Sequence, residues 1–301
     1  MKISVTRPHQ DLALRRQAAD TQRRRAKTQQ VAGLSVRYLI CIVVAIFMLI
    51  PILVAFLGAF KSDDELNAAP FSLPSVWHWE NIIFVLSQGS FWQSILNSLL
   101  ITILTVVLLL AVACPASFVF ARMPFRGREM GVNIILIGLL LPFAMVILPL
   151  YITLRSLGLL NTMWAVILPQ AAFALPTTIL ILRNFFQSIP GELEDATYID
   201  GGTHVDFFWR VLLPLARPSL AVVVVLTAVA SWNNFLLPLI VLNDANQWTV
   251  PLGIMQFQGE HASSWSAIMA YVSLMMLPAL IFYLFAERHL IAGLMAGSVK
   301  G

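Results

Sequence analysis

The segment Glu192-Leu193-Glu194-Asp195-Ala196-Thr197-Tyr198-Ile199-Asp200-Gly201 is a polar stretch with a strongly apolar run on each side. A polar segment of this length between membrane-spanning runs has to lie in water, at one face of the bilayer. The sequence therefore predicts a membrane protein with a folded, water-exposed loop at residues 184–216.

The loop carries the signals of two short helices joined by a hinge. Ser188 and Pro190 predict the start of the first helix, and the carboxylates that follow favour a helix N-terminus. Gly201-Gly202 permits the left-handed turn that ends this helix. Thr203 and Asp206 have the spacing of an imperfect capping box at the start of a second helix. We interpret the loop as a docking device. The early carboxylates are Glu192, Glu194 and Asp195.

The composition is that of an all-α membrane protein. Of 301 residues, 59% are hydrophobic and 11% are charged, whereas soluble domains have about 25% charged residues. We predict six transmembrane helices, because each apolar stretch reaches the ~20 residues that cross the hydrocarbon layer. The third and fourth are separated only by 156–161, so a fused or re-entrant segment is an open alternative there. The predicted spans are 38–60, 92–121, 131–154, 162–182, 218–242 and 266–286.

The distribution of basic residues predicts the orientation. All but two of the 19 Lys and Arg residues fall on the side of the 184–216 loop; the exceptions are Lys61 and Arg155. Since the positive side of a membrane protein is cytoplasmic, both termini and the loop are predicted to face the cytoplasm. The net charge of +4 is then a topology signal. It does not indicate nucleic-acid binding, for which no motif is present.

Several classes of function lack their sequence signals. The chain has no phosphate-binding Gly-x4-Gly-Lys-Ser/Thr motif, no metal-ligand spacing and no recognisable catalytic set, so we expect no enzyme and no cofactor bound by this chain. No predicted span has a charge near its middle, which argues against coupling to a proton or sodium gradient. Any energy that the protein uses must then be supplied from outside this chain. Cys41 and Cys114 lie in apolar spans and are interpreted as small hydrophobic residues.

Uncharged polar residues within the spans are the candidates for a solute pathway. Amides can pair with hydroxyl groups, and aromatic rings can cover the apolar face of a sugar. The alternative is that the same groups hydrogen-bond one span to another. The candidates are Asn97, Ser231, Trp232, Asn233, Asn234 and Phe235.

The loop resembles the loop of binding-protein-dependent ABC permeases, Glu-Ala-Ala-x3-Gly-x9-Ile-x-Leu-Pro. Here the pattern departs at three positions, with Asp for Glu, Thr for the second Ala and Val for Ile, while the spacing is kept. The resemblance implies that this loop couples the chain to an ATPase. The implied coupling residues are Glu194, Asp195, Ala196, Thr197, Gly201, Val211, Leu213 and Pro214.

Two further stretches, 231–235 and 288–301, are similar to permeases of the maltose-type carbohydrate branch. The resemblance covers roughly residues 90–301 and implies a type I ABC importer fold in the bacterial inner membrane. It implies these partners: a second permease subunit of different sequence, two cytoplasmic subunits that use ATP and Mg, an extracytoplasmic solute-binding protein and membrane lipid. The expected division is a basic tail at 1–37, a first helix at 38–60, the permease domain at 90–288 and a tail at 289–301.

These observations lead to one preferred function and two alternatives. The preferred function is ATP-driven import of a sugar or related neutral polyhydroxylated solute. One alternative is a permease for glycerol phosphate, an amino acid or a peptide. An anionic solute, however, favours cationic groups or helix N-termini within the bundle, and the spans hold no embedded Lys or Arg. The other alternative is a six-helix membrane protein with no role in transport.

Overall fold

The computed structural model describes Leu34, residues 37–257 and residues 264–298, with side chains as far as Ile281. All regular structure in these ranges is helical. Apart from Leu34 and Arg37, the predicted basic tail at 1–37 lies outside the described residues, as do the last three residues. The helices are α1 (Arg37–Gly58), α2 (Asp63–Ala68), α3 (Glu80–Ser87), α4 (Gly89–Arg122), α5 (Arg128–Ile137), α6 (Phe143–Ser156), α7 (Trp164–Ser188), α8 (Glu192–Ile199), α9 (His204–Leu215), α10 (Arg217–Trp232), α11 (Leu236–Val241), α12 (Val250–Gly253) and α13 (Trp265–Ser298).

Residues up to Leu57 form one compact unit and residues 58–301 form another. Helix α1 accounts for the described part of the first unit. It has 22 residues. Its most apolar stretch of 18 residues has a mean hydropathy of 3.2, and no residue of that stretch is buried. A helix of this kind satisfies its own backbone hydrogen bonds and is suited to lipid. The predicted span 38–60 is therefore confirmed as a helix long and apolar enough to cross a membrane.

Three single helices, α1, α4 and α7, have the length and hydropathy of membrane spans. Two bent pairs pass the same test together: α5 with α6, and α9 with α10, so the described residues hold up to five candidate spans. Helix α13 contains the predicted sixth span, but its described apolar part, Trp265–Ile281, is shorter than a full span. The total of six transmembrane helices stays a prediction.

Two predicted spans are not continuous helices. The span predicted at 131–154 bends by 99° between α5 and α6, next to Pro142. Proline has no N–H to donate and disfavours helical backbone in the residue before it. The span predicted at 218–242 breaks after Trp232 and resumes at Leu236. There Pro238 has no N–H for the carbonyl of Asn234, and the helical hydrogen-bond pattern is interrupted.

Helix α4 packs along α7 through the centre of the second unit. We call the end of α4 that carries Arg122 the loop end, because α8 and α9 lie against it. A buried apolar cluster at this end includes Phe118, Phe186 and Phe207, contributed by α4, α7 and α9. At the opposite end of α4 a second cluster surrounds Tyr271, which is fully buried. Cys41 and Cys114 are both free thiols; Cys114 is buried and Cys41 is exposed.

Candidate functional site

The first helix of the loop, α8, begins later than the sequence suggested. Ser188 is the last residue of α7, and its hydroxyl donates to the carbonyl of Phe185. Helix α8 starts at Glu192 instead, after Gly191, so the helix start predicted at Ser188 is wrong. The reason is that α7 continues its hydrogen bonding to the end of the apolar run. Three carboxylates occupy the first turn of α8, as predicted, where they interact favourably with the helix dipole.

The hinge and the second helix follow the predicted pattern. Gly201 has a φ of 79°, in the left-handed region that favours glycine. The Thr203 hydroxyl accepts from the Asp206 N–H at 3.3 Å, and the Thr203 N–H donates to Asp206 Oδ2 at 3.0 Å, which completes a capping box. Helix α9 then contains a π-helical segment, Phe207–Leu212. Segments of this kind are frequent at functional sites.

Replacing Thr203 with Ala should destabilise the start of α9 by about 0.5–2 kcal/mol, because the capping bonds are lost. Hydrogen exchange of the amides of residues 204–207 should become faster. The matched control is Ser62→Ala, which removes a cap from α2 and should leave these amides unchanged. Exchange at wild-type rate in Thr203→Ala would contradict the capping assignment.

The hydrogen bonds from Thr203 hold the pKa of Asp206 below its usual 3.8. The stabilisation of the start of α9 by the Asp206 carboxylate is therefore present at neutral pH, and it is lost as the pH falls through this lowered pKa.

Glu194 points towards the protein rather than into solvent. Its side chain is only 15% exposed, and its carboxylate lies 3.8 Å from Arg122 Nη1 and 3.6 Å from His204 Nδ1. The Tyr198 hydroxyl donates to it at 2.7 Å and also contacts His204. Desolvation, followed by the hydrogen bond to Glu194, raises the pKa of Tyr198 to about 12, so this hydroxyl stays protonated. Glu194 thus holds α8 against the loop end of α4.

The other residues of the predicted coupling set divide between surface and core. Asp195 and Ala196 are exposed on α8, together with the hinge residue Gly201 and with Pro214. Thr197, Val211 and Leu213 are half-buried. The Thr197 hydroxyl donates to the carbonyl of Leu193, whereas Val211 and Leu213 pack against the apolar cluster at the loop end. The set therefore contains both exposed residues and half-buried residues that hold the loop helices in place.

The exposed face of α8 also has an apolar residue that the sequence analysis did not select. Ile199 is 86% exposed at the last position of α8. Ile199 is therefore one candidate for contact with a partner. The available signal was an Ile between Tyr198 and Asp200 in the mostly polar stretch 192–201.

A cavity of about 290 Å³ lies where α10 breaks before α11. Helices α4, α6, α7 and α10 all contribute to its wall, and two phenyl rings with centroids 5.2 Å apart close one side. None of its described lining residues is charged. The lining residues are Thr105, Phe143, Gln170, Phe173, Ala174, Thr227, Ala230, Ser231, Asn234 and Leu237.

A hydrogen-bonded chain of polar groups runs along this cavity. The Ser231 hydroxyl donates to Gln170 Oε1 at 2.7 Å, and the Thr105 hydroxyl donates to the same oxygen at 3.4 Å. Thr102 in turn donates to Ser231 at 3.3 Å. The Nε2 group of Gln170 is buried and has no acceptor among the described residues. Gln170 is also one of the residues that line the cavity.

The structure brings only two of the six predicted pathway residues to this cavity, Ser231 and Asn234. Asn97 is buried elsewhere, and its amide donates to the carbonyls of Asn246 and Trp248 at 2.8 and 3.0 Å. Asn97 therefore joins α4 to residues 246–248, which lie between two predicted spans, so this contact differs from the span-to-span alternative.

The remaining three pathway candidates lie outside the cavity lining. Trp232 is buried in the cluster around Tyr271. Asn233 and Phe235 are exposed beside the break after α10. The sequence analysis missed Gln170, whose signal was a single Gln within the apolar span at 162–182.

The fold and the loop together define a membrane transport component. Residues 113–293 match the family described as the binding-protein-dependent transport system inner membrane component, and the chain belongs to this family. Membership makes it a permease subunit of an ABC importer, integral to the membrane, and a transport component rather than an enzyme.

Among similar proteins, the probable ABC transporter permease protein YurM of Bacillus subtilis is 37% identical over 83% of this chain and 83% of its own length. The arabinooligosaccharides transport system permease protein AraQ of Halalkalibacterium halodurans is 34% identical over 86% of this chain and 93% of its own. A bacterial ABC transporter that imports the acidic polysaccharide alginate has the same fold, with a TM-score of 0.75 and 22% identity, over 87% of this chain and 97% of that one.

Proposed function

We propose that this permease imports a neutral, polyhydroxylated solute of the oligosaccharide class. The observation that carries the proposal is the uncharged cavity, which is lined by amide and hydroxyl residues and by two phenyl rings. These groups suit the alternating hydroxyl and C–H faces of a sugar. The substrates after which relatives are named point the same way: these relatives include arabinooligosaccharide and diacetylchitobiose permeases.

The partners are proposed from the family and from the loop. Two ATPase subunits that use ATP and Mg would dock on the 184–216 loop, a second permease of different sequence would complete the membrane part, and a binding protein would deliver solute from outside. The bias of Lys and Arg supports a loop and termini in the cytoplasm of a bacterial cell. Exposed Asp195 offers a carboxylate to a basic group of the ATPase.

The geometry supports a mechanism in which ATPase closure moves the loop and the loop moves the bundle. Helix α4 extends from Arg122 at the loop to Thr105 at the cavity, about 25 Å at 1.5 Å per residue. Closure of the two ATPase subunits would displace both loops of the complex. A rigid-body shift of packed helices then exposes the cavity to one side of the membrane at a time.

The test is uptake by the complete complex in proteoliposomes. The complex is purified with its ATPase and binding protein and is offered labelled diacetylchitobiose, arabinooligosaccharides, glycerol phosphate or an amino acid. We expect ATP-dependent uptake of a neutral oligosaccharide. Uptake confined to glycerol phosphate or the amino acid would overturn the proposal in favour of the alternative permease function.

Replacing Gln170 with Leu should then reduce the uptake rate about 5- to 100-fold. The reason is that a solute hydroxyl loses its partner and Ser231 loses its acceptor, each a cost of about 1–3 kcal/mol, partly offset by solvent. The matched control is Thr178→Val on the same helix, which removes a buried polar group outside the cavity. Equal uptake by the two variants, at equal yield of assembled complex, would remove Gln170 from the pathway.

A further inference from the structure

Arg122, the last residue of α4, makes contacts with three separate parts of the chain. Its guanidinium Nη2 donates to the carbonyl of Ile189 at 2.5 Å, and Nη1 lies 3.8 Å from Glu194 Oε2. Its central carbon lies 5.9 Å from the centroid of the Phe207 ring. The side chain is only 11% exposed. Arg122 is thus a largely buried cation at the junction of α4 with the loop.

These three partners occur in chain order along the loop. Ile189 follows the end of α7, Glu194 lies on α8, and Phe207 lies in the π-helical segment of α9. One planar guanidinium on α4 therefore contacts α8, α9 and the segment between α7 and α8. A lysine has no such fork of donors and does not stack on a ring as Arg does.

The contacts of Glu194 strengthen this connection. The same carboxylate accepts a hydrogen bond from the Tyr198 hydroxyl and lies near His204. Through Glu194, Arg122 therefore helps to fix the positions of both α8 and the start of α9. The hydrogen bond from Tyr198 to this carboxylate is charge-assisted, and the 3.8 Å separation from Arg122 is that of an ion pair without a hydrogen bond.

We propose that Arg122 is the positioning residue that transmits movement of the loop to α4 and so to the solute cavity. The inference rests on the proposed function, in which the ATPase drives the loop. Arg122 is not among the described residues that line the solute cavity, so it acts in this proposal through the loop and α4. Its role is to make the loop and α4 move as one body, so that displacement of α8 reaches the cavity wall at Thr105 rather than being lost in bending at the junction.

Arg183 provides a matched control. Its side chain is 12% exposed, its Nε donates to the carbonyl of Phe120 at 3.1 Å, and its Nη2 lies 2.5 Å from Glu129. It is therefore an arginine of equal burial, at the same end of the molecule, with one carbonyl and one carboxylate as partners. Those partners lie on α4 and α5, outside the loop.

The experiment compares Arg122→Met with Arg183→Met in the reconstituted complex with its ATPase and binding protein. The first readout is uptake of the neutral oligosaccharide divided by ATP hydrolysed. We expect this ratio to fall about 5-fold or more in Arg122→Met, the lower range of coupling between distant sites. The ATPase should still co-purify. In Arg183→Met the ratio of uptake to ATP hydrolysed should stay near the wild-type value. The ratio for Arg122→Lys should lie between those of Arg122→Met and the wild type.

A second readout does not depend on the solute. Ala230 lines the cavity and is exposed, so Ala230→Cys, in a chain with Cys41 and Cys114 replaced by Ala, reports cavity access through its labelling rate. ATP should change this rate in the parent chain and change it much less in Arg122→Met. If the parent complex takes up no oligosaccharide but still shows the ATP-dependent change, the solute proposal fails while the positioning role remains testable. An equal ATP response in Arg122→Met and the parent overturns the inference.

Glu194→Gln keeps the inference falsifiable if Arg122→Met fails to assemble. This variant preserves size and removes only the charge that faces Arg122. We expect a lower ratio of uptake to ATP hydrolysed in Glu194→Gln alone. Where Arg122→Met does assemble, combining the two changes should cause no further loss, because partners in one network are not additive. A wild-type ratio in Glu194→Gln, or losses that simply multiply, would contradict a shared role.

Discussion

Replacing Ile199 with Arg should prevent stable binding of the ATPase to the permease. Ile199 is 86% exposed at the end of α8, beside the Gly201 hinge. An apolar side chain so exposed on a polar loop gains free energy only by entering a partner's pocket, and truncating such an anchor costs about 2–4 kcal/mol. A charged replacement adds the cost of burying an unpaired cation. The affinity should fall by a factor of about 30 or more.

The measurement is the amount of ATPase that co-purifies with the permease from detergent-solubilised membranes. Phe71→Arg is the matched control, because Phe71 is 76% exposed in the segment after α2, well away in sequence from the loop. The amount of ATPase that co-purifies with Phe71→Arg should match the amount that co-purifies with the wild type. A wild-type amount of ATPase bound to Ile199→Arg would show that the tip of α8 is not part of the docking surface.

Replacing Gly253 with Ala should destabilise the end of the bundle opposite the loop end. A Cβ atom at this position would lie 2.2 Å from the Tyr271 hydroxyl oxygen, which must therefore move. That hydroxyl donates to the carbonyl of Val250 at 2.9 Å and lies 3.1 Å from Ser94 Oγ, and Tyr271 is fully buried. Overpacking costs about 1–3 kcal/mol, and a buried polar group left without a partner costs a similar amount.

The melting temperature of the purified complex measures this loss. Gly89→Ala is the control, since a Cβ there meets nothing within 4 Å. Because the clash is with the hydroxyl, Gly253→Ala combined with Tyr271→Phe should recover part of the loss, a non-additive result expected for residues in contact. If Tyr271→Phe lowered the melting temperature of Gly253→Ala by as much as it lowers that of the wild type, the clash with the hydroxyl would not be the cause of the lost stability.

The sequence by itself determined the class of protein, the helical nature of the spans, the water-exposed loop and its hinge. These features depend on local properties: the mean hydropathy of a stretch, the φ preference of Gly201, and the three-residue spacing of Thr203 and Asp206. The motif spacing from Asp195 to Pro214 was sufficient to indicate the family. Each signal lies within one segment and can be read without knowing what that segment packs against.

The tertiary structure alone decided where helices bend, which polar residues meet and which way Glu194 faces. Pro142 and Pro238 mark breaks, but many prolines within the spans do not, because neighbouring helices determine whether an interrupted hydrogen bond becomes a bend. Gln170 and Ser231 are 61 residues apart in the chain, and Arg122 and Ile189 are 67 apart. The packing of α4 against α7, α9 and α10 brings such pairs together, and this packing depends on side-chain shape across several helices at once.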